Sequence, residues 1–323
     1  MSNYAKEKLK KYQSERIGQK KYNKQGYLMN VVEYNNCKDV IVEFDDDCKT
    51  KIKCRWSQFA NGTLVNPIAY ENRVGEENLN YQNCLMKIIE YNKSNDIVVE
   101  FQDKYKTKIN AAYREFKNGS IRNPYHPVIF NVGITGNKYP TRINGSSQSK
   151  EYNTWKQMIR RCFSEEYKKE HSTYENAICC EEWLLYENFY EWLHSQENFD
   201  KWRDNYDWHL DKDIIIKGNK IYSPETCCLV PQNVNKLFIK NDINRGNYPI
   251  GVSKTEYGYG SYCNNTDKQE FLGYYGTKER AFLAYKKRKE YLIKQAAKIE
   301  YENGNITKEC YEAMLNYIVE IDD

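Results

Sequence analysis

No apolar run in this 323-residue chain approaches the ~20 residues that span a bilayer. The opening segment, MSNYAKEKLKKYQSER, has no apolar signal core. Both absences predict a protein of the cytoplasm with no membrane partner. Cysteine occurs 11 times but never as C-x-x-C. With no signal segment the thiols should be free rather than bridged. The missing C-x-x-C pairs leave no basis for a structural zinc. The vicinal pairs Cys179-Cys180 and Cys227-Cys228 read as small buried apolar residues. An excess of one charge is lacking too. The net charge is +4, only a mild hint of an anionic partner. Basic residues nevertheless cluster from Lys6 to Lys24 and from Lys278 to Lys298.

What is present points to several small cores. Thirty tyrosines and six tryptophans oppose disorder, because each ring buries a large area. The length predicts two or three domains. Residues 1–16 read as a short basic helix or arm. Residues 17–124 hold an internal duplication: VVEYNNCKDVIVEF (Val31 to Phe44) returns as IIEYNKSNDIVVEF (Ile88 to Phe101). Gly18 and Gly75, Asp39 and Asp96, and Pro67 and Pro124 are each separated by 57 residues, so the copies align without gaps. Strands are predicted near Val31–Tyr34, Val40–Phe44 and Lys49–Cys54, with a short helix before Asn61-Gly62. Such units suggest small SH3-like barrels or curled sheets, over 17–70 and 71–130. The cations Lys49, Lys51, Lys53 and Arg55 in one copy, and Lys104, Lys106 and Lys108 in the other, interleave with aromatics. They would suit a groove that tracks a nucleic-acid backbone; a protein-binding or structural module is the other reading.

Gly133, Gly136, Gly145 and the run Ser146 to Ser149 read as a connector, in which Val132-Gly133 starts a truncated β element. Beyond it Trp155, Met158, Ile159 and Cys162 fall on one helical stripe. Trp183, Leu184, Phe189, Trp192 and Leu193 suggest a second helix. Arg160 and Arg161, beside the first stripe, are candidate phosphate contacts. The segment WHLDKDIIIKGNKIYSPETCCLVPQNVN (Trp208 to Asn235) reads as strand, turn, strand, helix. His209 and Asp211 lead into Ile214 to Ile216, and Asp213 would share an extended face with them. Residues 236–246 read as a linker. Three strands near Ile250–Lys254, Tyr259–Asn264 and Gln269–Tyr274, a helix from about Thr277, and an acidic helical tail (301–323) follow.

The ordered set His209, Asn219, Ser223-Pro224-Glu225-Thr226-Cys227 and Asn235 resembles the ββα-metal, or HNH (His-Me finger), nuclease core, closest to phage endonucleases, many of them homing enzymes. The resemblance implies a metal-dependent DNA endonuclease over 131–240. His209 would be its general base, Asn219 a loop-ordering group that orients the histidine, and Asn235 a ligand of Mg²⁺ or Mn²⁺. Many members carry an aspartate before the histidine. Here Trp208 stands there, and Asp211 or Asp213 is the replacement ligand. Residues 247–300 resemble the AP2/ERF DNA-binding domain through Tyr248-Pro249-Ile250-Gly251-Val252, Phe271-Leu272-Gly273-Tyr274-Tyr275 and Thr277 to Phe282. That family lays a three-stranded sheet in the major groove; Lys254, Tyr257, Tyr259, Tyr262 and Lys268 are available for contact. The fold class expected is therefore α+β: two SH3-like repeats, an HNH core with supporting helices, and an AP2-like sheet and helix. The partner is double-stranded DNA, with a homodimer as one way to cut both strands. The rival expectation is an inactive phage protein on the same scaffold, regulating DNA or inhibiting a host defence protein.

Overall fold

The computed structural model describes residues 3–46, 48–68, 73–239, 248–265 and 268–323. It is a mixed α+β chain of several small, mostly antiparallel sheets. It divides between Asn123 and Pro124 into two compact units. Residues 240–247, most of the expected linker, lie outside the described residues. No described helix is long and apolar enough to cross a membrane. All eleven cysteines are unbridged.

The first unit opens on α1 (Asn3–Arg16), which Gln13 ties to the sheet through its side-chain amide to Tyr34 O at 3.0 Å. Leu9 and Tyr12 pack on the first core, so the basic segment is a docked helix rather than a free arm. Strands β1 (Lys20–Tyr22), β2 (Leu28–Asn36), β3 (Asp39–Phe44) and β4 (Lys51–Cys54) and helix α2 (Trp56–Ala60) complete the first repeat. The second consists of β5 (Glu77–Leu79), β6 (Leu85–Lys93), β7 (Asp96–Phe101), β8 (Lys108–Ala111) and α3 (Tyr113–Lys117). Val40, Val42 and Phe44 alternate inward, as do Ile97, Val99 and Phe101. The expected SH3-like barrels are corrected to open sheets, ordered β1-β2-β3-β4 and β5-β6-β7-β8. The outer strands are only three and four residues long. They pair with sequence neighbours alone, and Phe59 of α2 or Phe116 of α3 plugs the remaining side of each core.

The duplication extends to single hydrogen bonds. Asn23 Oδ1 accepts from Gln25 N and Tyr27 N, and its Nδ2 donates to Leu64 O at 3.0 Å. Asn80 repeats all three, to Gln82 N, Cys84 N and Ile121 O. Arg16 lies 4.1 Å from the Trp56 ring and Arg73 lies 4.0 Å from the Tyr113 ring. The lysine stripe of the first copy is not a free basic surface: Lys49, Lys51 and Lys53 pair with Asp45, Glu43 and Asp39. Asn80→Ala would strand the amides of Gln82 and Cys84 and the Ile121 carbonyl. An unmade buried hydrogen bond costs ~1–3 kcal/mol, so thermal melting should show a loss of that size. An unshifted melt would refute the role given to this side chain.

In the second unit the segment from Pro124 to Lys138 is folded onto the core. Buried Glu187 accepts from Asn137 N, Lys138 N and the Tyr125 hydroxyl at 2.8, 2.7 and 3.2 Å. Gly136, at φ +72°, makes room for it: a Cβ there would lie 2.1 Å from the Glu187 carboxylate. The β element expected at Val132-Gly133 reduces to isolated bridges, Ile129 with Gly133 and Ile134 with Leu185. After the two-residue pair β9 (Arg142–Ile143) and β10 (Ser147–Gln148) comes α4 (Lys150–Phe163), capped by Ser149 Oγ accepting from Tyr152 N. Its stripe Trp155, Met158, Ile159 and Cys162 is buried with Trp183, Tyr186, Phe189 and Trp202. These come from a 3-10 turn (Glu182–Leu184), α6 (Tyr186–Ser195) and α7 (Phe199–Asp204), with the short α5 (Glu165–Glu170) and β11 (Ile178–Cys179) between.

Next come β12 (Trp208–Asp211), β13 (Ile221–Tyr222), β14 (Cys228–Pro231) and α8 (Gln232–Phe238). The three-stranded sheet β15 (Val252–Thr255), β16 (Gly258–Asn265) and β17 (Lys268–Tyr275) precedes α9 (Lys278–Glu302) and α10 (Lys308–Leu315). Helix α9 is 25 residues long and serves two cores. Ala281, Phe282 and Tyr285 cover the sheet. Ile293 and Ala297, with Cys310 and Met314 of α10, close over Val230 and Val234. The C-terminal half of α9 and the tail are thus built into the core of the β12-β14-α8 unit, while the sheet keeps its own core under the start of α9.

Candidate active site

Strand β12 pairs antiparallel with β14, His209 opposite Val230, and α8 starts directly after β14. This is a ββα unit. The expected extension of its first strand through Ile214 to Ile216 is corrected. Asp211 Oδ1 accepts the amides of Asp213 and Ile214, both at 2.9 Å, and turns the chain out of the strand. Ile214 drops into the core. Asp213 consequently does not share a strand face with His209.

The loop from Lys212 to Lys220 is held by Asn219. Its Nδ2 donates to Lys212 O and Ile221 O at 2.7 and 2.6 Å, and its Oδ1 accepts from Ile221 N. Asn219 orders the loop but touches no atom of His209 in these bonds. Ser223 to Thr226 forms the turn into β14, with Thr226 Oγ1 donating to Ile221 O at 2.7 Å.

An open cleft of about 960 Å³ runs across this unit. His209, Asp211, Asp213 and Asn235 all line it. So does a polar row on α4, Asn153, Gln157 and Arg161, spaced by one helical turn on the edge beside the buried stripe. Of the two adjacent arginines, only Arg161 faces the cleft. Arg160 is exposed and stacks 4.5 Å from the Tyr167 ring. Arg161 is half-buried, 3.4 Å from the Tyr222 hydroxyl and 5.2 Å from the Tyr174 ring. Among the described residues no carboxylate pairs with it.

Electrostatics give these groups definite states. Burial, and then the Arg161 cation, lower the His209 pKa, so its half-buried imidazole is neutral at pH 7. It makes no hydrogen bond with a described residue. Burial, and then the neighbouring Asp213 charge, push Asp211 up to about 7. Lys212 Nζ stands 3.3 Å from Asp213. Among the described residues no three His, Cys, Asp or Glu side chains converge as a metal cluster. The candidate oxygen donors that the ββα unit and its loop bring to the cleft are instead Asp211, Asp213 and Asn235. That chemistry fits a hard divalent cation, which would also relieve the repulsion between Asp211 and Asp213.

Three contributors to the cleft escaped sequence reasoning. Tyr174 arrives from the turn between α5 and β11, and Tyr222 from β13. The acidic tail also reaches it: Asp322 and Asp323 line the cleft, and Lys217 Nζ bonds Asp323 and Glu320 at 2.8 and 3.1 Å. The row on α4 was findable, because Asn153, Gln157 and Arg161 keep helical spacing.

The five candidate contacts of the C-terminal sheet separate. Lys254 and Tyr259 are register partners on the side of α9, with the Lys254 ammonium 4.3 Å from the Tyr259 ring. Lys268 falls on that side by strand alternation. Tyr262 faces away, and Tyr257 caps the β15-β16 turn beside Tyr274.

Compared with protein-family models, with curated proteins and with solved structures, the chain matches none.

Proposed function

We propose that the chain is a metal-dependent endonuclease of HNH type, hydrolysing phosphodiester bonds of double-stranded DNA with His209 as general base. One observation carries the reading. A ββα unit presents a neutral, half-buried imidazole to the same cleft as three oxygen-donor side chains and a guanidinium without a carboxylate partner.

His209 would take the proton of the attacking water, a task that suits a neutral imidazole near pH 7. Asn235, Asp213 and the second oxygen of Asp211 would hold Mg²⁺ or Mn²⁺. When bound, that ion supplies charge neutralisation at the phosphate and the leaving oxygen. Arg161, rigidified by Tyr222 and Tyr174, would grip a non-bridging phosphate oxygen by charge-assisted hydrogen bonds. Asn219 keeps the loop that carries Asp213 in register. One such site cuts one strand, so double-strand cleavage calls for a homodimer or a second visit.

A second reading is favoured by Lys212. Its ammonium stands beside Asp213, where it competes with a metal ion. An inactive scaffold that binds DNA as a regulator, or binds a host defence protein, would tolerate that pair. Supercoiled plasmid separates the two readings. Nicking with Mg²⁺ or Mn²⁺ that stops in EDTA is expected. DNA binding with no cutting in either metal would replace the nuclease by the binding protein.

A further inference from the structure

The face of the three-stranded sheet turned away from α9 carries a row of rings that no core uses. Register alternation puts Tyr262, Phe271 and Tyr274 on this face. Ring centroids follow one another at 5.2 Å (Tyr262 to Phe271), 4.8 Å (Phe271 to Tyr274) and 5.4 Å (Tyr274 to Tyr257). Phe271, Tyr274 and Tyr257 are 49%, 51% and 68% exposed. The Tyr262 ring lies across Gly260, where a Cβ would come 2.8 Å from a ring carbon, so glycine is what lets this ring lie flat on the strand. The polar strand residues sharing the face, Ser253, Thr255, Asn264 and Gln269, are uncharged. The one acid of β17, Glu270, is turned to the other side and bonded to Arg288 at 2.7 Å. From Tyr248 to Glu302 the sequence holds ten Lys and Arg against seven Asp and Glu.

A row of exposed rings, tilted 45–60° to one another, with uncharged hydrogen-bonding strand neighbours and a segment of net positive charge around it, matches an anionic chain that offers ring faces. Duplex DNA hides its base faces in its own stack and shows a sheet only base edges and phosphates. Unpaired bases expose them, and stacking on aromatic side chains is how single strands are held. We propose that this face binds single-stranded nucleic acid, with successive bases stacked on Tyr262, Phe271, Tyr274 and Tyr257. The inference does not depend on whether the cleft cuts.

The test is fluorescence anisotropy of the full chain in EDTA with a labelled oligothymidine of about twelve nucleotides, within the usual site sizes, against a duplex of the same length. Single strands should bind more tightly than the duplex. Phe271→Ala and Tyr274→Ala should each weaken that binding roughly tenfold or more, while Phe271→Trp retains it. Both positions are exposed, so an unchanged melting curve will show that the variants fold. Three results would overturn the proposal: alanine variants that bind oligothymidine like wild type, tighter binding of the duplex, or a wild-type dimer that both alanine variants lose. The last would make the face a contact between copies.

Discussion

Replacing His209 by alanine is expected to lower metal-dependent plasmid nicking by about 10²–10⁴-fold, the usual contribution of a positioned general base. The side chain is only half-buried and no described residue hydrogen-bonds to it, so the fold should survive. A melting curve like that of wild type would show that the loss is chemical. The pH profile gives a second readout. A general base works only when neutral. Burial and the Arg161 cation depress the His209 pKa below its ordinary 6.5. As pH falls, the rate should therefore hold through the ordinary histidine range and drop only below it. Nicking that survives His209→Ala would put the active site elsewhere.

Arg161→Met should cost about 10²-fold or more in kcat, comparable to deleting one donor to a developing negative charge. The neighbouring Arg160→Met should stay near wild type, because Arg160 is exposed over Tyr167 and outside the cleft. Arg161→Lys should recover only part of the activity, since an ammonium cannot reproduce the planar fork that meets two phosphate oxygens. Removing the Arg161 charge should also raise the His209 pKa and move the acid limb of the rate profile upward. Equal effects of the two methionine variants would sink the assignment.

Local chemistry made much of this legible from residues alone. The 57-residue offset announced the duplication, and the matched strands and asparagine bonds follow from it. His209 and Asn235 stood out through the resemblance to the HNH pattern, which is compact in sequence. Asn219 stood out as a loop-ordering group through the same resemblance, and its bonds to Lys212 O and Ile221 O hold the loop. The strand face expected for Asp213 was misread because Asp211 captures two backbone amides, an interaction no periodicity reveals. The barrels were misread because closure depends on whether end strands meet, which the alternation within each strand leaves open.

By itself, then, the sequence determined the repeats, the small β elements and the ββα order, all matters of local pattern and spacing, while the candidate base came from the resemblance to HNH nucleases. Tertiary structure alone decided that Arg161 rather than Arg160 faces the cleft. It alone decided that Tyr174, Tyr222 and the acidic tail line the cleft, that α9 serves two cores, and that Phe271 and Tyr274 lie bare. Each of those outcomes turns on which faces of distant segments meet, and burial and long-range packing choose those faces only once the whole chain has folded.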